Sequence, residues 1–188
     1  MKNFILAFVV FAFIFPEISE ARRRRGGGTT SLFFSPHVGY GIGDLEASSS
    51  LDGDTKGLGY GVQLGVRMAS RFKLGIDAEF GEGDIEWDQV DMEVDYERLD
   101  IGAMIGFLVT PRIDIYGTYV FAAETDVGDD ELEGDGFNIG LGFKVHRRVQ
   151  LSFEYQSREY DEMNGSENPN DTSSTSYVLK LRFPFTLL

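Results

Sequence analysis

From Gly57 to Ala69 the chain reads GLGYGVQLGVRMA, and its two residue parities have little in common. Leu58, Tyr60, Val62, Leu64, Val66 and Met68 are large and apolar, whereas Gly59, Gly61, Gln63, Gly65 and Arg67 are small or polar. A period of two belongs to extended chain, because successive side chains of a strand point to opposite faces. The pattern recurs and predicts strands over 31–43, 57–69, 72–82, 95–109, 112–124, 135–146, 148–159 and 175–186. No long segment repeats at the helical period, so the fold class is all-β.

The links between these segments alternate as well. Short ones fall at Ser70-Arg71, Thr110-Pro111 and His146-Arg147, and long ones near 44–56, 82–95, 125–134 and 160–174. Up-and-down strands joined in this way put the short turns at one end and the long loops at the other. Charge divides along the same axis. Carboxylates crowd the long links, as in Gly83–Asp95 and Thr125–Asp135, while Arg71, Lys73, Arg112, Arg147 and Arg148 mark the short turns. The formal net charge of -14 is therefore concentrated at one pole.

Ahead of the strands, Lys2, the apolar run Phe4–Phe15 and the small residues Ser19 and Ala21 match the three parts of a secretory signal peptide, here residues 1–21. The apolar run is short against the ~20 residues that span a bilayer. Residues 22–30, with Arg22 to Arg25 and Gly26 to Gly28, read as a basic, glycine-rich tail at the short-turn end, and 31–188 as the strand domain. The chain has no cysteine, which removes disulfides and thiolate metal sites.

Alternation alone does not say which face is outside. Filling does: the apolar series includes Phe34, Tyr40, Phe72, Phe80, Phe107, Tyr119, Phe121, Phe143, Phe153, Tyr155, Phe183 and Phe185. An eight-stranded interior is just wide enough for its side chains, so this set would overpack it. Leu58, Tyr60, Val62, Leu64, Val66, Phe143, Phe153, Leu179, Leu181 and Phe183 are accordingly expected to face lipid. The opposite series carries both signs of charge: Arg67, Lys73, Asp77, Glu79, Arg98, Asp100, Asp114, Lys144, Glu154, Arg158, Lys180 and Arg182. Buried charges require partners, so these residues are expected to pair across a plugged lumen. Aromatic residues near strand ends, such as Tyr40, Tyr96, Tyr155, Tyr160 and Tyr177, suit interfacial girdles, and Trp87 is placed in a strand extension beyond the membrane.

The signal-like start, eight alternating segments and final YVLKLRFPF resemble the small eight-stranded outer-membrane β-barrels, the OmpA transmembrane domain and the OmpX- and OmpW-like proteins. The resemblance covers Ser31 to Leu188 and rests on pattern rather than on an invariant motif. It implies an antiparallel up-and-down transmembrane barrel in the outer membrane of a Gram-negative bacterium, with periplasmic termini and an aromatic C-terminal assembly signal. Phe183 and Phe185 stand in register for that signal, but Pro184 interrupts it and Thr186-Leu187-Leu188 follows.

Chemistry-bearing motifs are sparse. Ser35 and His37 share a strand face and are the sole local nucleophile–base pair, and His146 lies in a short turn, so no enzyme activity is expected. The run DVGDDELEGDG lacks the order of an EF-hand loop, and GYGIG and GLGYG do not satisfy G-x-G-x-x-G; no cofactor is expected. Asn164-Gly165-Ser166 and Asn170-Asp171-Thr172 read as turn-forming sequence. The acidic balance argues against nucleic acid. The expected role is structural or interactive at the cell envelope, in integrity, adhesion or recognition through acidic outer loops. Expected partners are outer-membrane lipid and lipopolysaccharide, the barrel-assembly machinery and a surface ligand at the acidic loops; the loops themselves are read as solvated, with loosely bound divalent cations bridging to lipopolysaccharide as the alternative. The alternatives are a narrow channel for ions or small apolar molecules, a secreted soluble binding barrel and a lipid-modifying barrel enzyme.

Overall fold

The structure, a computed structural model, describes residues 30–48, 51–69, 71–87 and 92–187. The expected signal peptide and arginine-rich tail lie outside the described residues, as do Ser70 and Leu188. Every described segment is strand or tight turn: β1 (Ser31–Ser48), β2 (Leu51–Met68), β3 (Phe72–Trp87), β4 (Met92–Thr110), β5 (Ile113–Val127), β6 (Asp130–His146), β7 (Val149–Met163), β8 (Ser166–Arg182) and the short β9 (Phe185–Thr186). From β1 to β8 each strand pairs antiparallel with the next, and β1 also pairs with β8, closing the ring. Short β9 continues β8 along the same edge, with Phe34 opposite Phe185. The result is the expected all-β, eight-stranded up-and-down barrel.

The ring changes character at its closing seam. Phe183 N–H donates to the Pro36 carbonyl at 2.8 Å, but Pro36 has no N–H to return. The strand breaks there, at Phe183-Pro184, and resumes as β9. Both prolines thus fall where a missing donor costs the ladder least.

One expectation is corrected. The four long links at 44–56, 82–95, 125–134 and 160–174 are largely strand: β1 runs on to Ser48, β3 to Trp87, and β8 begins at Ser166. Two hairpins close on two residues each, Gly128-Asp129 and Asn164-Gly165. Asn164 and Gly165 both have positive φ, 53° and 70°, the requirement of a type I′ hairpin turn. Asn164 also braces the neighbouring hairpin, its Nδ2 donating to Asp130 Oδ1 at 2.9 Å.

The extensions escape sequence reading for a physical reason. Along β3 the strand phase never changes, yet its chemistry inverts. Phe72, Leu74, Ile76, Ala78 and Phe80 point outward and then give way to Glu82, Asp84 and Glu86, while inward Lys73, Asp77 and Glu79 give way to Ile85 and Trp87. In β1 the outward series passes from Ile42 to Asp44 and the inward one from Gly43 to buried Leu45. An inverted stretch looks like an interruption when only the apolar parity is followed.

Candidate functional site

Inward residues form three levels. Nearest the short-turn end, Lys73 is paired with Asp114, which also accepts from Gln150. Arg182 bonds to Gln63, and its guanidinium carbon sits 4.1 Å from the centre of the Tyr116 ring. Gln63 in turn donates to Asp77 Oδ2 at 2.7 Å.

The middle level is centred on Lys180. Its ammonium binds Glu154 at 2.5 Å and is also paired with Glu79. Glu154 accepts from the Tyr116 hydroxyl at 2.8 Å and from Gln156 at 2.7 Å. Glu79 is shared by His37 at 3.3 Å and Arg98 at 3.4 Å. Above it, Arg158 grips Asp100 with two donors, at 3.2 and 2.6 Å, the fork geometry that makes guanidinium–carboxylate pairs strong. Asp114, Glu79, Asp100 and Glu154 are thereby paired with Lys73, Arg98, Arg158 and Lys180, while Arg182 reaches Asp77 only through Gln63. Partnering of this kind is what makes charge tolerable away from water.

The third level was not anticipated. Leu45, Ile85, Trp87, Val120, Ala123, Leu132 and Tyr160 form a buried apolar cluster inside the extended end of the barrel. Between this cap and the Glu79–Arg98 level lies a cavity of about 40 Å³, room for little more than a water molecule or two. The signal for the cap is visible in retrospect: Ile85, Trp87 and Leu132 hold the same parity as the lumen residues of their strands.

Most residues expected in the lumen meet there, with Asp77, Glu79, Asp100, Asp114, Glu154, Arg158, Lys180 and Arg182 buried and Arg67 and Arg98 half-buried. Lys144 does not join them. It is exposed, two residues from the turn at His146, where the wall ends before an inward side chain can be covered. Lys73, Gln63, Gln150, Gln156 and Tyr116 complete the network. Glycines make the room: a Cβ at Gly140 would collide with the Tyr116 ring, and one at Gly142 with Gln150 and Asp114. Ser35 and His37 are both buried in the lumen, where His37 faces Glu79.

Of the residues expected to face lipid, Leu58, Leu64, Phe143, Phe153, Leu179 and Leu181 are exposed, at 43–54 %. Tyr60, Val62, Val66 and Phe183 are partly exposed on the same outer face, shielded by neighbours such as Phe80, 5.1 Å from Tyr60 between ring centres. From Phe72 to Phe80 the outer face stays apolar. At ~3.3 Å per residue and a tilt of roughly 35–45°, that run rises about 20 Å, close to the ~25 Å apolar band of a membrane barrel.

Just beyond the band the outer face turns acidic on several adjacent strands. Like charges stand directly opposite one another: Glu82 and Glu97, Asp84 and Asp95, Glu86 and Glu93, then Asp126 beside Glu97, and Glu133 beside both Glu124 and Glu162. Lys56 lies among them, 3.3 Å from Glu93 and 3.8 Å from Glu86. The hydrogen bond and charge of Glu93 hold its ammonium above the ordinary lysine pKa. Such opposed carboxylates weaken a sheet, so folding alone does not account for them. Among the described residues no group of carboxylates and histidines has the arrangement of a metal site.

Comparison with known proteins agrees with this geometry. The family described as "Outer membrane protein beta-barrel domain" matches residues 23–185. Among solved structures, neisserial surface protein A superposes with a TM-score of 0.55 at 17 % identity, over 84 % of this chain and 99 % of that one. Ail, the attachment invasion locus protein of Yersinia pestis, superposes with a TM-score of 0.58 at 13 % identity, over 82 % and 99 %. A second structure of Ail, in complex with the heparin analogue sucrose octasulfate, gives 0.56 at 14 % identity over the same shares. At these identities the likeness is one of fold. No curated protein sequence matches.

Proposed function

The chain belongs to the outer membrane protein β-barrel domain family, and from that premise we propose that it is a closed, non-enzymatic barrel whose role is structural and interactive. Export by the N-terminal signal peptide and folding by the barrel-assembly machinery belong to this reading. The observation that carries it is the lumen, in which cross-barrel ion pairs lie beneath an apolar cap and leave a cavity of about 40 Å³. A hydrated ion would have to displace Lys180 from two carboxylates at once and also part the cap. Ser35 and His37, enclosed at 5 % and 1 % exposure, are not placed to meet a lipid substrate at the rim.

The acidic outer rim is the contact surface in this reading. It suits cationic partners, or lipopolysaccharide approached through divalent cations. It does not suit a polyanion such as the heparin analogue held by Ail, because carboxylates opposed along β3 to β7 would repel sulfate groups. Planar bilayer recording tests the closed lumen. The purified barrel should give no steady conductance above baseline, and a stable single-channel step from the wild-type chain would establish the narrow-channel alternative instead.

A further inference from the structure

The short-turn rim is the chemical opposite of the outer one. Arg71, Arg112, Arg147 and Arg148 are all exposed there, together with His146 and Lys144. Over residues 30–36, 64–76, 104–116, 140–152 and 179–187 the only carboxylate is Asp114, which is buried against Lys73. None of these four arginines has a carboxylate partner among the described residues. Two of them are held by backbone bonds between adjacent turns and strands: Leu108 N–H donates to the Arg71 carbonyl at 2.9 Å, and Lys144 N–H to the Arg112 carbonyl at 2.7 Å. The turns carrying Arg71 and Arg112 are thereby tied to the next strand around the rim.

Depth identifies what they meet. Arg71 immediately precedes Phe72, Arg112 precedes Ile113, and Arg148 precedes Val149, the first residues of β3, β5 and β7. One strand residue advances ~3.3 Å, and the polar layer on each side of a bilayer is about 5–7 Å deep. The guanidinium groups therefore lie within the headgroup layer, where long basic side chains settle with their stems on apolar surface and their charge among phosphates. A periplasmic glycan would lie beyond that depth.

From this we infer that the periplasmic rim is a binding collar for anionic phospholipid headgroups of the inner leaflet, recognised through their phosphates by Arg71, Arg112, Arg147 and Arg148. The inference rests on the outer-membrane reading above and adds a ligand class to it. A basic residue beside an anionic membrane surface contributes about a fivefold preference, so the ring should enrich anionic lipid severalfold in the shell around the barrel. The acidic outer rim does the reverse, and the two rims together bias the barrel towards one orientation.

The test is lipid selectivity measured with spin-labelled phosphatidylglycerol and phosphatidylcholine in vesicles of both lipids containing the folded barrel. Wild-type protein should retain phosphatidylglycerol severalfold over phosphatidylcholine, with the preference fading towards 1 M salt. The quadruple variant Arg71→Gln, Arg112→Gln, Arg147→Gln and Arg148→Gln should lose it, whereas the quadruple lysine variant should keep most of it, because charge rather than fork geometry sets the preference. Lys56→Gln, at the opposite rim, should change nothing. A heat-sensitive gel shift confirms that each barrel is folded and inserted, which separates failure of the collar from failure of the membrane reading. Should the glutamine set not fold, Arg147→Gln/Arg148→Gln alone and the wild-type salt titration still decide. Equal retention of the two lipids by wild type overturns the inference, as does a preference that survives removal of the arginines. Arginine-dependent binding to isolated peptidoglycan without lipid preference would overturn it too.

Discussion

Replacing Lys180 by methionine removes the cation on which the middle of the lumen depends. Lys180 is 1 % exposed and binds Glu154 at 2.5 Å as well as Glu79. Methionine keeps much of the volume and none of the charge, so the loss is electrostatic. Glu79 retains His37 at 3.3 Å and Arg98 at 3.4 Å, while Glu154 retains only neutral donors, Tyr116 and Gln156. Stranding a buried carboxylate by removing its partner costs about 3–5 kcal/mol, and Glu154 is the stranded group. Lys180→Met should therefore destabilise the barrel by that amount. Adding Glu154→Gln removes the stranded charge while leaving an acceptor for Tyr116, and should recover roughly 1–3 kcal/mol. Denaturant unfolding in detergent reads both, with Trp87, the chain's single tryptophan, buried in the apolar cap as the fluorescent reporter. A Lys180→Met cost below ~1 kcal/mol, or a double variant no more stable than the single one, would refute the reasoning.

Three further outcomes follow from other levels of the barrel. Trp87→Ala or Ile85→Ala should lower stability by about 2–5 kcal/mol through loss of buried volume in the cap; gel-shift melting checks this, and a negligible effect would mean that the extended end is not packed. Gly140→Ala drives a Cβ into the Tyr116 ring and should cost about 1–3 kcal/mol by overpacking, measurable in the same unfolding assay. Glu97→Lys, opposite Glu82 and Asp126, should instead stabilise by roughly 0.5–1 kcal/mol as it replaces two repulsions with attractions, with the gain shrinking in high salt.

The fold was largely legible because one regularity carries it. Alternation in strands such as Phe72–Phe80 and Val149–Tyr155 fixed strand number, phase and the placement of charge opposite lipid, and those features need only a period of two. Strand length was not legible. Beyond Phe80 and Ile42 the apolar residues move from the outer to the inner face, so a reader following apolar parity stops at the membrane surface, and of these extensions only the one holding Trp87 was expected. The charged members of the lumen were found as a set, but not who pairs with whom, because Lys180 and Glu79 stand on strands far apart in sequence and meet only across the closed ring. The uncharged members, Gln63, Gln150, Gln156 and Tyr116, resembled ordinary strand residues. Lys144 shared the right parity, but only depth, which parity does not encode, puts it outside.

The inversion at the membrane surface is the centre of this account, and it can be read residue by residue. The chain has no cysteine, so single cysteines at Ile76, Phe80, Glu82, Glu86 and Ile85 each carry one spin label. In bilayers, labels at 76 and 80 should collide with oxygen dissolved in lipid, and labels at 82 and 86 with a water-soluble nickel chelate. The label at 85 should be shielded from both. If positions 76 and 80 proved open to the chelate, or 85 met lipid while 82 and 86 did not, the face assignment and the membrane boundary would both be wrong.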